Sequence, residues 1–378
     1  MKNQQLMIII YVILVVFSIM YATQPLQPLL AKEFDINMIQ ASQFTAVIMF
    51  SLAIAPIIYG YVLESICPKK MLFIASVILL VTNFILSYSN SYEMFLTIRV
   101  IESLVIPAII TSCMSILANS DKKNVKYNMA IYVAATVFGG MVGRVVSGFI
   151  ATEFGWRAVF MSLSIALFFA LFFIRKLSFE GDTNLTKAKL SDVVEILKDR
   201  RFVLIYSLMF TTFFVFAGLL NILPFRMKEL IPNATESQIG LLYLGYGMGI
   251  VVSLLSKKII KILKNESNTI LVGALIFTLV NFSFFSDNMI FVFFMLFIFC
   301  IGMFTIHSVS TGIANSIKES QKSLTSGMYL TFYYIGGAVG SVVPAMFYQL
   351  VGWNFTIILF ISVLILIYSL FFIYKDDF

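Results

Sequence analysis

The chain has 378 residues, of which 60% are hydrophobic and 12% charged, and its mean hydropathy is +0.97. A soluble domain is about 25% charged, and 39 Phe with 17 Tyr exceed what one water-soluble core would hold, so a water-soluble globule is excluded. The net charge of +7 does not indicate nucleic acid, because its placement along the chain has a membrane explanation.

Apolar runs of about twenty residues read as membrane spans. They fall near 6–30, 41–63, 71–88, 92–117, 127–151 and 156–174, then 202–228, 237–263, 268–286, 289–316, 323–350 and 353–374. The run after Lys2 is too long for the apolar core of a signal peptide and reads as the first span. The expected architecture is all-α and integral to the membrane, with a six-helix bundle over 1–174, a linker over 175–201 and a second six-helix bundle over 202–378. Within the linker, Leu190, Val193, Val194 and Leu197 recur at helical spacing between charges, which predicts a short amphipathic helix on the membrane surface.

Lysine and arginine set the orientation. With the N-terminus inside, 20 of the 26 Lys and Arg fall on inside segments, 4 on outside segments, and Arg99 and Arg144 within spans. Both termini and the long central loop are therefore expected on the cytoplasmic side of the membrane. The three cysteines, Cys67, Cys113 and Cys300, lack metal or redox spacing. No Gly-x-x-x-x-Gly-Lys-Ser/Thr loop is present, which disfavours an ATP-driven pump. No span carries a His/Asp cluster or a nucleophile–base pair, which disfavours an enzyme. Neither a catalytic residue, a metal nor a cofactor is expected, and the lipid bilayer and a small-molecule substrate are the expected partners of a monomer.

The chain repeats itself at half its length. Gly139 to Trp156 and Gly336 to Trp353 align without a gap at an offset of 197, with eight of eighteen positions identical. Pro28, Lys32 and Glu33 match Pro224, Lys228 and Glu229 at an offset of 196, as does Ala118-Asn119-Ser120 with Ala314-Asn315-Ser316. Six spans per half is an even number, so both halves enter the membrane from the same side, giving two pseudo-symmetric bundles in a parallel repeat.

On these residues the chain resembles the major facilitator superfamily. It looks most like bacterial proton-coupled efflux proteins of the acriflavine-sensitivity group, through Tyr21, Gln24-Pro25-Leu26-Gln27-Pro28-Leu29-Leu30, Glu33-Phe34, Gly143-Arg144, Ser147-Gly148 and Trp156-Arg157. Gly60, Glu64, Lys69 and Lys70 fit the superfamily's loop between spans 2 and 3, whereas Ser65, Cys67 and Pro68 depart from it. Arg99-Val-Ile-Glu102-Ser103 resembles the antiporter motif of span 4, with Ser for Gly, and Ala135 to Arg144 resembles that of span 5 without its first Gly and its Pro. The resemblance implies alternating access, with spans 1, 4, 7 and 10 lining the cavity, and proton-coupled export of small amphipathic compounds. Transport of a small organic anion or sugar is the alternative.

Among ionised side chains, Arg99, Glu102 and Arg144 lie well inside spans. Such charges cost about 2.5–3.5 kcal/mol each at a helix centre on insertion scales, so each needs a partner or a task. Glu102 can be a proton carrier, a permanent ion-pair partner locking spans 4 and 5, or one part of a net-positive site for an anion. Candidate cavity residues are Tyr21, Gln24, Gln27, Asn221, Tyr243, Tyr246, Tyr329 and Tyr333, with His307 and Thr311 on one polar stripe of span 10. The small-residue stripes with Gly139, Gly140, Gly143 and with Gly336, Gly337, Gly340 permit close helix approach. The resemblance makes them sliding surfaces between the halves.

Overall fold

The computed structural model describes residues 2–120, 124–178, 190–318 and 322–378, with side chains at all of these except 2–3, 56–65, 119–120, 125–126, 190–191 and 322–323. The helices in order are α1 (Lys2–Tyr21), α2 (Gln27–Glu33), α3 (Met38–Ser65), α4 (Pro68–Leu86), α5 (Tyr92–Ser120), α6 (Val125–Phe154) and α7 (Trp156–Arg175). They continue with α8 (Leu190–Lys198), α9 (Arg200–Leu230), α10 (Glu236–Leu241), α11 (Met248–Ile262), α12 (Glu266–Asn281), α13 (Met289–Ser316), α14 (Lys322–Val351) and α15 (Trp353–Ile373). Among the described residues, 12 helical segments are long and apolar enough to cross a membrane.

Two of the expected spans are not continuous helices. The first breaks after Tyr21 into a 3-10 turn, Gln24–Leu26, before α2 resumes. Pro25 and Pro28 lack the N–H groups that would continue the α-helical ladder, which accounts for the break. The eighth passes from α10 through a 3-10 segment, Leu242–Gly247, to α11. Gly240, Gly245, Gly247 and Gly249 lower helix propensity there by about 1 kcal/mol each relative to Ala.

The residues group into two compact units. One holds Met1–Lys187 with Asn233–Leu241, and the other holds Ala188–Pro232 with Leu242–Phe378. In the first, α6 and α7 pack on α1, α3 and α4 pack on α5, and α7 packs on α4. In the second, α14 and α15 pack on α9, α11 and α12 pack on α13, and α15 packs on α12. Element for element, this is one neighbour pattern used twice, as the sequence repeat requires.

The glycine stripes set the closest of these approaches, inside each unit. A Cβ on Gly139 would lie 2.9 Å from the Leu14 carbonyl oxygen, and one on Gly143 would lie 2.4 Å from Ser18 Cα. At the repeat-related positions, a Cβ on Gly336 or Gly340 would lie 2.3 Å from the carbonyl oxygen of Phe210 or Phe214. Gly139, Gly143, Gly336 and Gly340 therefore fix α6 to α1 and α14 to α9 within a bundle. This corrects the expectation that they form sliding surfaces between halves: the residues they face are backbone atoms of the same unit. Gly140 faces the Tyr21 ring and Gly337 faces the Phe213 ring, again within one unit. Gly148 comes close to α10, where a Cβ would meet the Glu236 carbonyl oxygen at 2.3 Å.

Each unit ends its fifth span in the same turn. Gly155 and Gly352 adopt φ of 81° and 87°, a left-handed region open to Gly at little cost, and each is followed by a buried Trp. The Trp353 indole donates to the Phe284 carbonyl at 2.7 Å. Charge pairs clamp the same corners. Arg157 pairs with Glu33 at 2.8 Å and lies over the Trp156 ring. Arg226 pairs with Glu229 at 3.0 Å and Asp287 at 2.5 Å.

The surface helix of the linker is α8. Ile196 is its buried anchor, whereas Val194 and Leu197 are exposed, and Lys318 reaches Glu195 at 2.8 Å.

Candidate functional site

The break after Tyr21 organises the charged residues of the first unit. A helix end leaves its last carbonyls without i+4 donors. At the end of α1, those of Ile19 and Met20 accept from the Arg99 guanidinium at 3.4 and 3.3 Å. Arg99 also donates to the Phe44 carbonyl from Nε and Nη2, both at 3.3 Å. Its shortest contact is Nη1 to Glu102 Oε2, 2.7 Å. Arg99 and Glu102 are three residues apart on α5, so the ion pair is internal to one helix. Of the alternatives for Glu102, a lock between spans 4 and 5 through an ion pair is not what the geometry gives.

Both members of the pair have no exposed surface. The second oxygen of Glu102 accepts from Asn83 Nδ2 of α4 at 2.7 Å, and the same amide donates to the Leu79 carbonyl at 3.0 Å. The side-chain oxygen of Asn83, Oδ1, is buried and has no hydrogen-bond partner. Asn83 was not singled out from the sequence. Its signal is a lone amide in the apolar run of span 3. Ser51 and Ser103 meet nearby at 2.7 Å, linking α3 to α5.

Arg144 sits on the other side of the same break. Its guanidinium lies 3.8 Å from the centroid of the Tyr21 ring. Its Nε donates to Gln24 Oε1 at 2.6 Å and its Nη1 to the Gly140 carbonyl at 2.9 Å. A cation over an aromatic face gains about 2 kcal/mol when desolvated, which helps a buried Arg persist at this position. Gln27 turns away from this group and donates to Thr45 at 3.1 Å. The first unit thus brings Tyr21, Gln24 and Arg144 together, and separately Arg99, Glu102 and Asn83, with the interrupted end of α1 touching both.

The second unit carries no matching charges, since Met295 and Ile298 stand at the positions repeated from Arg99 and Glu102. Its polar cluster is aromatic. His307 Nδ1 lies 2.9 Å from the Tyr329 hydroxyl, and Tyr333 packs against the His307 ring at 4.9 Å and on Phe213 at 3.7 Å. Thr311 donates to the His307 carbonyl at 2.7 Å, one turn along the same helix, and interacts with Tyr329 of that cluster. Asn221 donates to the Ser341 carbonyl at 3.0 Å, and Tyr243 to the Leu220 carbonyl at 2.8 Å, so both tie helices together. Tyr246 is buried edge-on against Phe304. In the loop between α3 and α4, Lys69 donates to the Leu177 carbonyl at 2.5 Å and Lys70 is exposed. The side chains expected to matter at Gly60 and Glu64 lie outside the described residues.

Comparison with known proteins places this arrangement. The family model described as Major Facilitator Superfamily matches residues 9–265 and 232–377. An uncharacterized transporter of Buchnera aphidicola subsp. Schizaphis graminum is 24% identical over 361 residues, covering 93% of this chain and 87% of its own length. The inner membrane transport protein YnfM of Escherichia coli is 24% identical over 347 residues, covering 90% and 83%. A crystal structure of a bacterial homolog of the human lysosomal transporter Spinster, inward-facing and occupied, superposes with TM-score 0.81 at 14% identity, over 99% of this chain and 96% of that one. That of a D-xylose-proton symporter superposes with TM-score 0.79 at 16% identity, over 98% and 96%. The chain belongs to the major facilitator superfamily and has its fold: it is a multi-pass membrane transporter.

Proposed function

We propose that this transporter exports small amphipathic compounds in exchange for protons, by alternating access, and that Glu102 carries the proton. The observation behind this reading is the setting of Glu102: a carboxylate with no exposed surface, held by Arg99 and Asn83 at 2.7 Å each. Protonation would remove half of an ion pair, and stranding a buried charge costs several kcal/mol. Arg99 is equipped against that loss, because the carbonyls of Ile19, Met20 and Phe44 remain as acceptors. Asn83 is equipped as well. Turned by half a rotation, its unpartnered Oδ1 would accept the new Glu102 O–H. Both protonation states of Glu102 then have partners, as a carrier requires and a permanent lock does not. The aromatic cluster around His307 and Tyr333 supports an amphipathic cargo, since such rings pair apolar area with polar tips. The lysine and arginine distribution supports an inner membrane with both termini in the cytoplasm.

The test is Glu102→Gln reconstituted in vesicles with an imposed proton gradient. Gradient-driven transport should fall to background, while counterflow exchange without a gradient persists. Gradient-driven transport at the wild-type rate would refute the carrier role.

A second reading follows from Arg144. A buried guanidinium that lies over the Tyr21 ring and donates to Gln24 is suited to a carboxylate cargo that takes the place of Gln24. Arg144→Lys should then abolish transport of small organic acids, and unchanged organic-acid transport refutes this reading.

A further inference from the structure

The inner end of α11 carries Lys257, Lys258 and Lys261, with Lys264 just beyond it, all exposed. Lys257, Lys258 and Lys261, at i, i+1 and i+4, lie on one side of the helix, and Lys264 follows the Leu263 cap. Four other cations of this unit are neutralised from within it: Arg200 by Asp377, Arg201 by Asp199, Arg226 by Glu229 and Asp287, and Lys318 by Glu195. Among the described residues, none of the four lysines makes an ion pair. One turn further into the span, the same side exposes Val251 at 44% and Leu254 at 68%. An aliphatic strip therefore leads into a cluster of uncompensated positive charge, which matches the order of acyl chain and headgroup in a phospholipid.

The backbone adds an independent observation. Lys264 has φ 74°, at the position after the helix cap where Gly is favoured. A non-Gly residue in this left-handed region costs on the order of 1 kcal/mol. The other described non-Gly residue with positive φ is Asp35, a type that tolerates that conformation. A lysine is held at Lys264 against its backbone preference, where it extends the charged side past the last helical turn.

We propose that the end of α11 is a binding site for an anionic phospholipid of the adjoining leaflet. Its phosphate lies among Lys257, Lys261 and Lys264, with Lys258 at the flank and an acyl chain along Val251 and Leu254. Each lysine near an anionic membrane surface contributes about fivefold in affinity, so removing three changes retention on the order of 100-fold.

The probe is phosphatidylglycerol, followed by native mass spectrometry of full-length protein taken from nanodiscs containing phosphatidylglycerol and phosphatidylcholine in equal parts. Wild type should retain phosphatidylglycerol selectively, and the K257Q/K258Q/K261Q variant should lose that selectivity. Lys264→Gly should reduce retention about fivefold while keeping or raising thermal stability, which separates headgroup contact from folding. Lys257→Arg should retain the lipid. Selective retention by the triple variant equal to wild type would overturn the proposal and leave the lysines as orientation signals. Displacement of the lipid by millimolar inorganic phosphate would overturn it in favour of a free-anion site. Retention unchanged in Lys264→Gly would remove Lys264 from the site and overturn the argument from its backbone.

Discussion

Gly340→Ala perturbs a close backbone contact between α14 and α9 in the second unit. A Cβ there would stand 2.3 Å from the Phe214 carbonyl oxygen and 2.7 Å from its Cα, whereas ordinary contact begins at 3.4 Å. The obstacle is backbone, which no rotamer change can clear, so α14 and α9 must separate by about 1 Å. Overpacking of this kind costs about 1–3 kcal/mol, and the higher helix propensity of Ala returns about 1 kcal/mol. Gly143→Ala, at the repeat-related position of α6, meets Ser18 in the same way, 2.4 Å from its Cα. Gly312→Ala is the internal control, because no atom lies within 4 Å of its Cβ, and it should gain about 1 kcal/mol. At about 2–4 °C per kcal/mol for a unit of this size, Gly340→Ala and Gly143→Ala should melt about 2–12 °C below Gly312→Ala. The assay is the apparent Tm of purified protein in one detergent and buffer. Equal melting of Gly340→Ala and Gly312→Ala would refute the reading of these glycines as intra-bundle contacts.

Asn83→Leu removes the Asn83 amide from Glu102 and should destabilise the first unit by about 1–3 kcal/mol. In a double-mutant cycle with Glu102→Gln, the two changes should be non-additive by about 1 kcal/mol or more, because they share one hydrogen bond. Asp199 caps α9 by accepting from the Arg201 N–H at 2.9 Å, so Asp199→Ala should cost about 1 kcal/mol in thermal stability. The Arg201 side chain, hydrogen-bonded to Asp199, holds its carboxyl below the ordinary carboxylate range. A depressed folded value means that this contribution is present above the unfolded pKa of about 4 and is lost as pH falls through the lower folded value. The melting difference between wild type and Asp199→Ala should therefore vanish in acid and stay constant from pH 6 to 8.

The two structural corrections have one origin. The sequence repeat marks Gly139, Gly143, Gly336 and Gly340 as sites of close approach, but not which helix approaches. The answer came from α1 and α9, whose residues Leu14, Ser18, Phe210 and Phe214 stand in the same repeat relation. Likewise, spacing places Arg99 and Glu102 on one turn of one helix, and apolar length places Arg144 within a span. Asn83 stands out in the sequence only as a lone amide in span 3, and a single amide in an apolar run has no periodicity to show which helix it faces.

The sequence by itself determined the number of spans, the two-fold repeat and the set of buried charges. Lipid imposes length and apolarity on every crossing, and those constraints are local and additive along the chain. Tertiary structure decided who meets whom: Glu102 with Arg99 and Asn83, Arg144 with Tyr21 and Gln24, and the glycines with their own bundle. Partner choice depends on helix rotation and on the break after Tyr21, both fixed by packing between segments far apart in the chain.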